Sequence, residues 1–265
     1  MTLNCRFSKK IVKYDPRFET YLAPIGLDQL RACLDFTPDS ELITALVERW
    51  RPETSTFHLY HGEATITLED VHFLTGLSID GVLVESQRRI PTVDSDLQLY
   101  VERLLGKKPS TADLSAGRVK MTWLRNHFGT IRDDADQETI EQHCRAYILD
   151  FFGSCIFADR SGSHASLFFL PLLEDMSQIG EYAWGAAALS WLYRELGRCA
   201  FRIESNPSRD HVGDIGGWMA LVQAWALERF TSIARRVHKS RQIAPTHSPI
   251  PRMTRFGLRL LLPFS

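Results

Sequence analysis

The chain has 265 residues, 44% of them hydrophobic, so folding can bury roughly 70–75% of the surface that the unfolded chain exposes, enough for a sizeable core. Its 31 basic and 32 acidic residues nearly cancel, which disfavours a dedicated nucleic-acid binder but leaves room for a local basic patch. Charges interrupt every apolar stretch before it reaches the ~18 residues that span a bilayer, so we expect a soluble protein with no membrane partner.

Two helices are predicted near the beginning of the chain, after a lead-in of residues 1–25. Leucines three and four residues apart over residues 27–34 give the first helix one apolar face. Over residues 42–50 the apolar side chains recur at helical spacing, and Pro52 is expected to end this second helix.

A β-hairpin and a capped helix are predicted next. Apolar residues alternate over residues 57–68 on either side of a His-Gly-Glu turn, which indicates a small hairpin. Thr67 can cap a short helix over residues 68–75, and Gly76 can end it in the left-handed conformation that glycine adopts without strain. A short strand is expected at residues 82–84, within a longer loop.

The rest of the chain is mainly helical in its periodicity. Helices are predicted over residues 97–105, 121–129, 138–157, 181–197 and 215–237. Asp136 is expected to cap the third of these, and residues 167–173 fit a strand or a buried helix equally well. The predicted fold class is therefore mainly α, a single compact multi-helix domain with one small β-hairpin in its N-terminal third. Residues 239–265 are first proline-rich and basic and then apolar, and we expect them to form a poorly ordered tail.

Some histidines and cysteines suggest chemistry, but each has a simpler structural interpretation. His58 and His61, with His72 nearby, resemble metal ligands, yet positions three apart on a strand face opposite sides and no Cys or His pair completes a zinc site. The five cysteines never form a Cys-x-x-Cys pair, which favours reduced, buried thiols in an intracellular protein. Cys144 and Cys155 lie in no pattern that would activate a nucleophile.

Acidic, serine-containing and glycine-rich stretches are likewise better explained by structure. Asp133, Asp134 and Asp136 resemble magnesium ligands, but carboxylates in one loop do not converge from separate elements. Residues 161–164 (Ser-Gly-Ser-His) lack the flanking glycines of a nucleophile elbow. Residues 213–217 are glycine-rich before a helix, as in a phosphate cradle, yet they lack the ending of a P-loop, so close packing at a helix entry is preferred.

Residues 67–78 have the helix–glycine–turn form that begins a helix-turn-helix. The second, base-reading helix is missing, because Ile-Asp-Gly at residues 79–81 interrupts the chain. Nucleic-acid binding stays an alternative, and a contiguous arginine-rich face would favour it. An enzyme with an unfamiliar site is a third hypothesis, which requires a pocket with at least two converging, perturbed titratable groups.

Several long motifs give the chain a family resemblance. Residues 45–53 read Ala-Leu-Val-Glu-Arg-Trp-Arg-Pro-Glu, and residues 68–77 read Leu-Glu-Asp-Val-His-Phe-Leu-Thr-Gly-Leu. Phe-Ala-Asp-Arg-Ser-Gly follows at residues 157–162, then Trp-Gly-Ala-Ala-Ala-Leu-Ser-Trp-Leu-Tyr-Arg-Glu-Leu at residues 184–196. With these motifs in this order, residues 26–238 resemble the plant mobile domain, a family shared by plant transposons and MAINTENANCE OF MERISTEMS-type proteins.

The resemblance implies a nuclear interaction module without catalysis of its own, acting in transposon silencing, gene expression, genome integrity and meristem maintenance. It implies protein partners, among them a plant type-7-class phosphoprotein phosphatase, and no cofactor. The alternative is a transposon-encoded accessory factor that binds nucleic acid. Some family members are labelled aminotransferase-like, but the lysines at 107, 108 and 120 lie in a loop or beside a helix start, so we expect no pyridoxal phosphate chemistry.

The family supplies no accepted catalytic residues, and we expect no catalytic, cofactor-binding or metal-binding site in this chain. The positions that match the family's pattern are expected to be structural or partner-binding. We call them the family-pattern positions: Trp50, Arg51, Pro52, Glu53, Phe57, Gly62, Asp70, Trp184, Tyr193, Arg194, Trp225 and Arg229. After Phe230 the sequence departs from the family's usual course, which predicts a copy of the domain shortened at its C-terminus.

Overall fold

The computed structural model describes residues 2–5, 10–85, 90–205 and 213–230. These residues contain eight α-helices: α1 (Glu19–Leu22), α2 (Ser40–Val47), α3 (Leu68–Thr75), α4 (Asp94–Leu105), α5 (Met121–His127), α6 (Gln137–Phe151), α7 (Trp184–Ser205) and α8 (Met219–Arg229). The mainly α class is confirmed. The first predicted helix is a 3₁₀ segment, Gln29–Asp35. The predicted tail, residues 239–265, lies outside the described residues.

Helix ends occur at the predicted capping residues. The hydroxyl of Thr67 accepts a hydrogen bond from the backbone N–H of Asp70 at 3.1 Å, and the Asp70 carboxylate accepts one from the Thr67 N–H at 2.9 Å. This reciprocal pair is a capping box at the start of α3. Gly76 ends α3 with a φ of 76°. Asp136 caps α6 by accepting from the N–H of Thr139.

Eight short strands form three small sheets in the described residues: β1 (Asn4–Cys5), β2 (Trp50–Arg51), β3 (Thr56–Leu59), β4 (Gly62–Ala64), β5 (Leu114–Ser115), β6 (Arg118–Lys120), β7 (His164–Ser166) and β8 (Asp214–Ile215). The antiparallel pair β3–β4 confirms a hairpin here, and β2 adds a third strand to it. The returning strand lies earlier than the predicted alternation at residues 66 and 68, because Gly62 already pairs with Leu59 across the turn. The prediction that the preceding helix continues to Pro52 was wrong. Helix α2 ends at Val47, because Trp50 pairs with Phe57 in the sheet.

The other two sheets were not predicted, because their strands are too short to show alternation. Strands β1 and β8 run parallel and pair Asn4 with Asp214, 210 positions further along the chain. Strand β6 lies between β5 and β7 in an antiparallel sheet. The strand predicted at residues 82–84 is reduced to a single bridge between Val82 and Tyr182.

The structure corrects the predicted start of one helix and decides one segment that the sequence left open. Helix α8 begins at Met219, later than predicted, because Asp214–Ile215 pair as a strand and Gly217 adopts a φ of 86° before the helix. The apolar segment Leu167–Leu173 is a 3₁₀ helix that contains Pro171.

One hydrophobic core runs through the described residues. Helices α6 and α8 are its most enclosed parts, since every residue in 144–151 and in 219–226 is buried. Helix α3 packs against both α7 and α8, so motifs far apart in the sequence meet there. In the part of the chain that the structure describes, no helix combines the length and apolar character needed to cross a bilayer.

Candidate functional site

Four of the family-pattern positions form one aromatic cluster in the core. The ring of Trp50 lies 4.8 Å from that of Phe57 and 5.2 Å from that of Tyr193. Phe57 stacks on Trp225 with ring centroids 5.2 Å apart. Because these rings come from β2, β3, α7 and α8, the cluster joins the sheet of β2, β3 and β4 to helices α7 and α8. This arrangement favours a structural role for all four.

Two further family-pattern positions, Asp70 and Arg229, form an ion pair between α3 and α8. The side chain of Asp70 is 10% exposed and that of Arg229 is 58% exposed. The same carboxylate also closes the capping box with Thr67. Both oxygens of the Asp70 carboxylate are therefore engaged by groups of the fold.

The other family-pattern positions are dispersed. Trp184 packs in a second aromatic cluster, 5.0 Å from Phe152, and its indole N–H donates to the carbonyl of Ile179 at 2.7 Å. Arg194 lies on the outer face of α7. The remaining four are exposed, either on the sheet of β2, β3 and β4 or in the turn after β2: Arg51, Pro52, Glu53 and Gly62. The structure thus brings together only part of the set.

The histidines considered as metal ligands have other neighbours. The Nε2 atom of His58 pairs with Glu63 on the adjacent strand at 2.9 Å. The Nδ1 atom of His72 lies 3.0 Å from the carbonyl oxygen of Leu77, and His61 lies in the turn between β3 and β4. Among the residues that the structure describes, no three His, Cys, Asp or Glu side chains are placed to hold one metal ion.

The described cysteines are poorly placed for nucleophilic chemistry. Cys144 and Cys155 are buried, and burial raises the pKa of the Cys144 thiol far above its ordinary value. Cys5 is half-buried, and burial raises its pKa to about 11. Such thiols stay protonated near neutral pH and are therefore weak nucleophiles.

The acidic and glycine-rich stretches also serve the fold. Asp134 pairs with Arg132 at the surface while Asp136 caps α6, so these carboxylates do not converge on one site. The predicted close packing at the glycine-rich stretch is confirmed. A Cβ added to Gly216 would lie 2.7 Å from the carbonyl oxygen of Ala158.

The segment that resembles half of a helix-turn-helix has a different setting. After Gly76 the chain extends to the bridge between Val82 and Tyr182, and the next described helix begins at Asp94. Helix α3 itself is packed against α7 and α8. No recognition helix follows α3 in the described residues.

A cleft that the sequence did not predict opens beside α7. Its volume is about 400 Å³, and its walls come from β6, from β7 with the loop before it, and from the outer face of α7. Of the described residues, four that line it carry guanidinium groups: Arg118, Arg160, Arg194 and Arg198. The sequence contained one signal for this site, since the motifs at residues 157–162 and 184–196 both contribute to its walls.

A buried carboxylate holds two of these arginines. Glu195 is 4% exposed, and its Oε1 atom lies 3.2 Å from Arg198 and 3.5 Å from Arg194. Arg160, by contrast, is exposed and forms neither a hydrogen bond nor an ion pair with the described residues. Within the described residues, the cleft therefore combines arginines that a carboxylate holds in place with one arginine, Arg160, that has no such partner.

A second carboxylate, Asp159, holds Arg118 at 2.7 Å. Burial opposes the ionisation of Asp159, but hydrogen bonds donated by Ser161, Gly162 and Arg118 outweigh it and lower the pKa of this carboxyl. His164 lines the same wall, and burial together with the charge of Arg118 lowers its pKa. Near neutral pH, Asp159 is ionised and His164 is neutral.

An apolar hollow of about 300 Å³ continues from the cleft, because both have walls formed by Phe157, Trp191 and Arg194. Phe168 and Val84 form other parts of the hollow. We call the cleft and the hollow together the arginine–aromatic groove. Its guanidinium groups can bind carboxylates or phosphates by charge-assisted hydrogen bonds, and its rings can cover an apolar group.

Comparison with known proteins agrees with the motifs. The chain matches the family model described as plant mobile domain over residues 26–260. It is 44% identical to Protein MAIN-LIKE 1 of Arabidopsis thaliana over 203 residues, which are 76% of this chain and 38% of that protein. It is 43% identical to Protein MAINTENANCE OF MERISTEMS of the same plant over 201 residues, 76% of this chain and 40% of that protein.

A third relative has a different name. Serine/threonine-protein phosphatase 7 long form homolog of Arabidopsis thaliana is 42% identical over 191 residues, which are 72% of this chain and 13% of that protein. The chain thus spans less than half the length of each of these relatives. No solved structure matches it significantly.

Proposed function

This chain belongs to the plant mobile domain family, and on that premise we propose that it is a non-catalytic module that binds protein partners in the nucleus. We further propose roles in transposon silencing, gene expression, genome integrity and meristem maintenance, which the family resemblance supports. The observation that carries protein binding is the arginine–aromatic groove, because arginine and aromatic side chains are enriched at protein interfaces.

The use of ionisable groups supports the absence of catalysis. Asp150 is bound by Arg125 at 2.8 Å inside the core, and the thiol of Cys144 is buried with a raised pKa. A catalytic site requires titratable groups that converge on space for a substrate. In the groove, Asp159 and Glu195 are instead bound to arginines, an arrangement that favours anion binding over proton transfer.

We propose a type-7-class phosphoprotein phosphatase as a partner. The support is that a protein named serine/threonine-protein phosphatase 7 long form homolog contains a segment 42% identical to this chain. That similarity connects the family with proteins named for this class of phosphatase.

Nucleic-acid binding, as a transposon-encoded accessory factor, is the second candidate function. The four arginines of the groove favour it, because guanidinium groups bind phosphates well. Asp159 and Glu195 count against it, because they interrupt the positive surface that a nucleic-acid backbone would follow. We therefore rank it below protein binding.

Affinity purification of the tagged chain from plant nuclei, followed by mass spectrometry, tests the proposal. We expect recovery of a type-7-class phosphatase that survives nuclease treatment, with an unrelated tagged protein as the control. Recovery of chromatin alone, lost on nuclease treatment, would put nucleic-acid binding first. Exclusion of the tagged chain from nuclei would contradict the nuclear part of the proposal.

A further inference from the structure

We propose that the arginine–aromatic groove binds an acidic peptide segment of a partner protein, with carboxylates at its arginine end and an apolar side chain at its aromatic end. This inference rests on the proposed function and names the chemistry of the partner. Three features of the groove support it: a buried carboxylate positions two of the arginines, the groove has an excess of positive charge, and Arg194 covers one face of Trp191.

The arginine end is preorganised by a buried carboxylate. The Oε1 atom of Glu195 contacts one nitrogen of Arg194 and one of Arg198, both of which are exposed. Each guanidinium has five N–H donors, so most of them remain available to a ligand. Since the two side chains are already positioned, a bound carboxylate would cost less conformational entropy than one bound to free arginines.

The unpaired charge of the groove suits a short acidic segment. Among the described residues that line the groove, four arginines outnumber two carboxylates, Asp159 and Glu195, which leaves an excess of two positive charges. Arg160 is the one of the four that has no hydrogen bond or ion pair to the described residues. Charge complementarity therefore favours a ligand with one or two carboxylates, whereas nucleic acid suits a longer, uninterrupted basic surface.

The aromatic end suits an apolar side chain. The guanidinium of Arg194 lies 3.7 Å from the centroid of the Trp191 ring, and Phe157 approaches that ring edge to face at 5.9 Å. Arg194 therefore already covers one face of Trp191, which leaves less of this ring for a nucleic-acid base to stack on. Phe168 is 41% exposed at the hollow of about 300 Å³, which leaves room for an aliphatic or aromatic side chain.

Fluorescence anisotropy with the full purified chain tests this inference. The probe is a short labelled Gly-Ser peptide that carries two glutamates followed by a leucine, and the matched peptide has lysines in place of the glutamates. We expect the glutamate peptide to bind, and Arg160→Glu to weaken its binding about tenfold or more. Phe168→Ser should weaken the binding of this peptide but not of one with serine in place of the leucine.

The matched control is Arg49→Glu, which reverses an exposed charge away from the groove and should leave the affinity unchanged. Circular dichroism checks that each variant is folded. Three results would overturn the inference: no binding of the glutamate peptide, equal binding of the lysine peptide, or equal losses in Arg160→Glu and Arg49→Glu.

Tighter binding of an oligouridine RNA, lost in Arg160→Glu, would assign the groove to nucleic acid and also overturn the peptide proposal. Purification of the Arg160→Glu chain from nuclei separates this failure from failure of the proposed function. If that variant recovers the same partners as the unmodified chain, protein binding stands but takes place on another surface.

Discussion

Asp70 and Arg229, 159 positions apart in the sequence, join the beginning of α3 to the end of α8 through one carboxylate. The Oδ1 atom of Asp70 pairs with Arg229, while Oδ2 accepts hydrogen bonds from the backbone and hydroxyl of Thr67. A local capping interaction and a long-range ion pair thus depend on the same side chain.

Asp70→Ala is expected to lower the free energy of unfolding by about 1–2 kcal/mol, because it removes both interactions. Arg229→Ala should cost less, about 0.5 kcal/mol, since that side chain is 58% exposed and water screens the pair. Urea unfolding followed by circular dichroism measures both losses, with Arg49→Ala as an exposed control. Equal losses in the two variants would contradict a contribution from the capping box.

Trp50→Phe and Trp184→Phe form a second matched pair, since each tryptophan is 1% exposed. The indole N–H of Trp184 donates to the carbonyl of Ile179, whereas Nε1 of Trp50 has no hydrogen-bond partner among the described residues. We therefore expect Trp184→Phe to lower the free energy of unfolding by about 1 kcal/mol more than Trp50→Phe. Denaturant titration decides this, and a greater loss in Trp50→Phe would contradict our assignment of the hydrogen bonds.

Arg125→Met should destabilise the chain by about 3–5 kcal/mol near neutral pH, because it leaves the carboxylate of Asp150 buried without its cation. Asp150 is 0% exposed and also accepts hydrogen bonds from the Val12 N–H and the Ser154 hydroxyl. Combining Arg125→Met with Asp150→Asn removes the charge, so the double variant should be more stable than Arg125→Met alone. Chemical denaturation compares the two, and a less stable double variant would refute this account.

The same pair predicts a pH dependence. Burial raises the pKa of Asp150, and Arg125 opposes that rise. A raised pKa means that the folded chain binds the proton more tightly than the unfolded chain, so this group's contribution to stability falls as pH rises between the two pKa values. Without Arg125 the folded pKa rises further, and the deficit of Arg125→Met should shrink between about pH 7 and about pH 5. Denaturation at both pH values tests this, and a constant deficit would argue against it.

Gly216→Ala is expected to cost about 1–3 kcal/mol, because the new methyl group would overpack a tight contact. Its Cβ would lie 2.7 Å from the carbonyl oxygen of Ala158 and 3.0 Å from Oε2 of Glu195. Gly129→Ala is the control, since a Cβ there has no heavy atom within 4 Å. Thermal unfolding of both variants checks the difference, and tolerance of Gly216→Ala would mean that the two segments separate easily.

Features set by neighbouring residues were predicted correctly from the sequence. The caps at Thr67 and Asp136 and the stop at Gly76 depend on hydrogen bonds and backbone conformation within about one helical turn. The apolar stripe over residues 42–50 predicted helix α2 but not where it ends, which is at Val47. Trp50 suits a helix and a strand equally well, and its pairing with Phe57 decides for the strand.

Short pairings between distant segments could not be predicted. Two residues show no periodicity, so nothing in the sequence around Asn4 indicates that it pairs with Asp214. The groove was missed for a related reason. Arg118 lies far from Arg160 and Arg194 in the sequence, and each taken alone resembles an ordinary surface charge.

By itself, the sequence determined that this protein is mainly α, where several of its helices begin and end, and to which family it belongs. Only the tertiary structure decided that Asp70 reaches Arg229 and that Arg118 shares a groove with the arginines of α7. Capping and periodicity involve atoms within about a turn of each other, whereas these contacts depend on how whole helices pack.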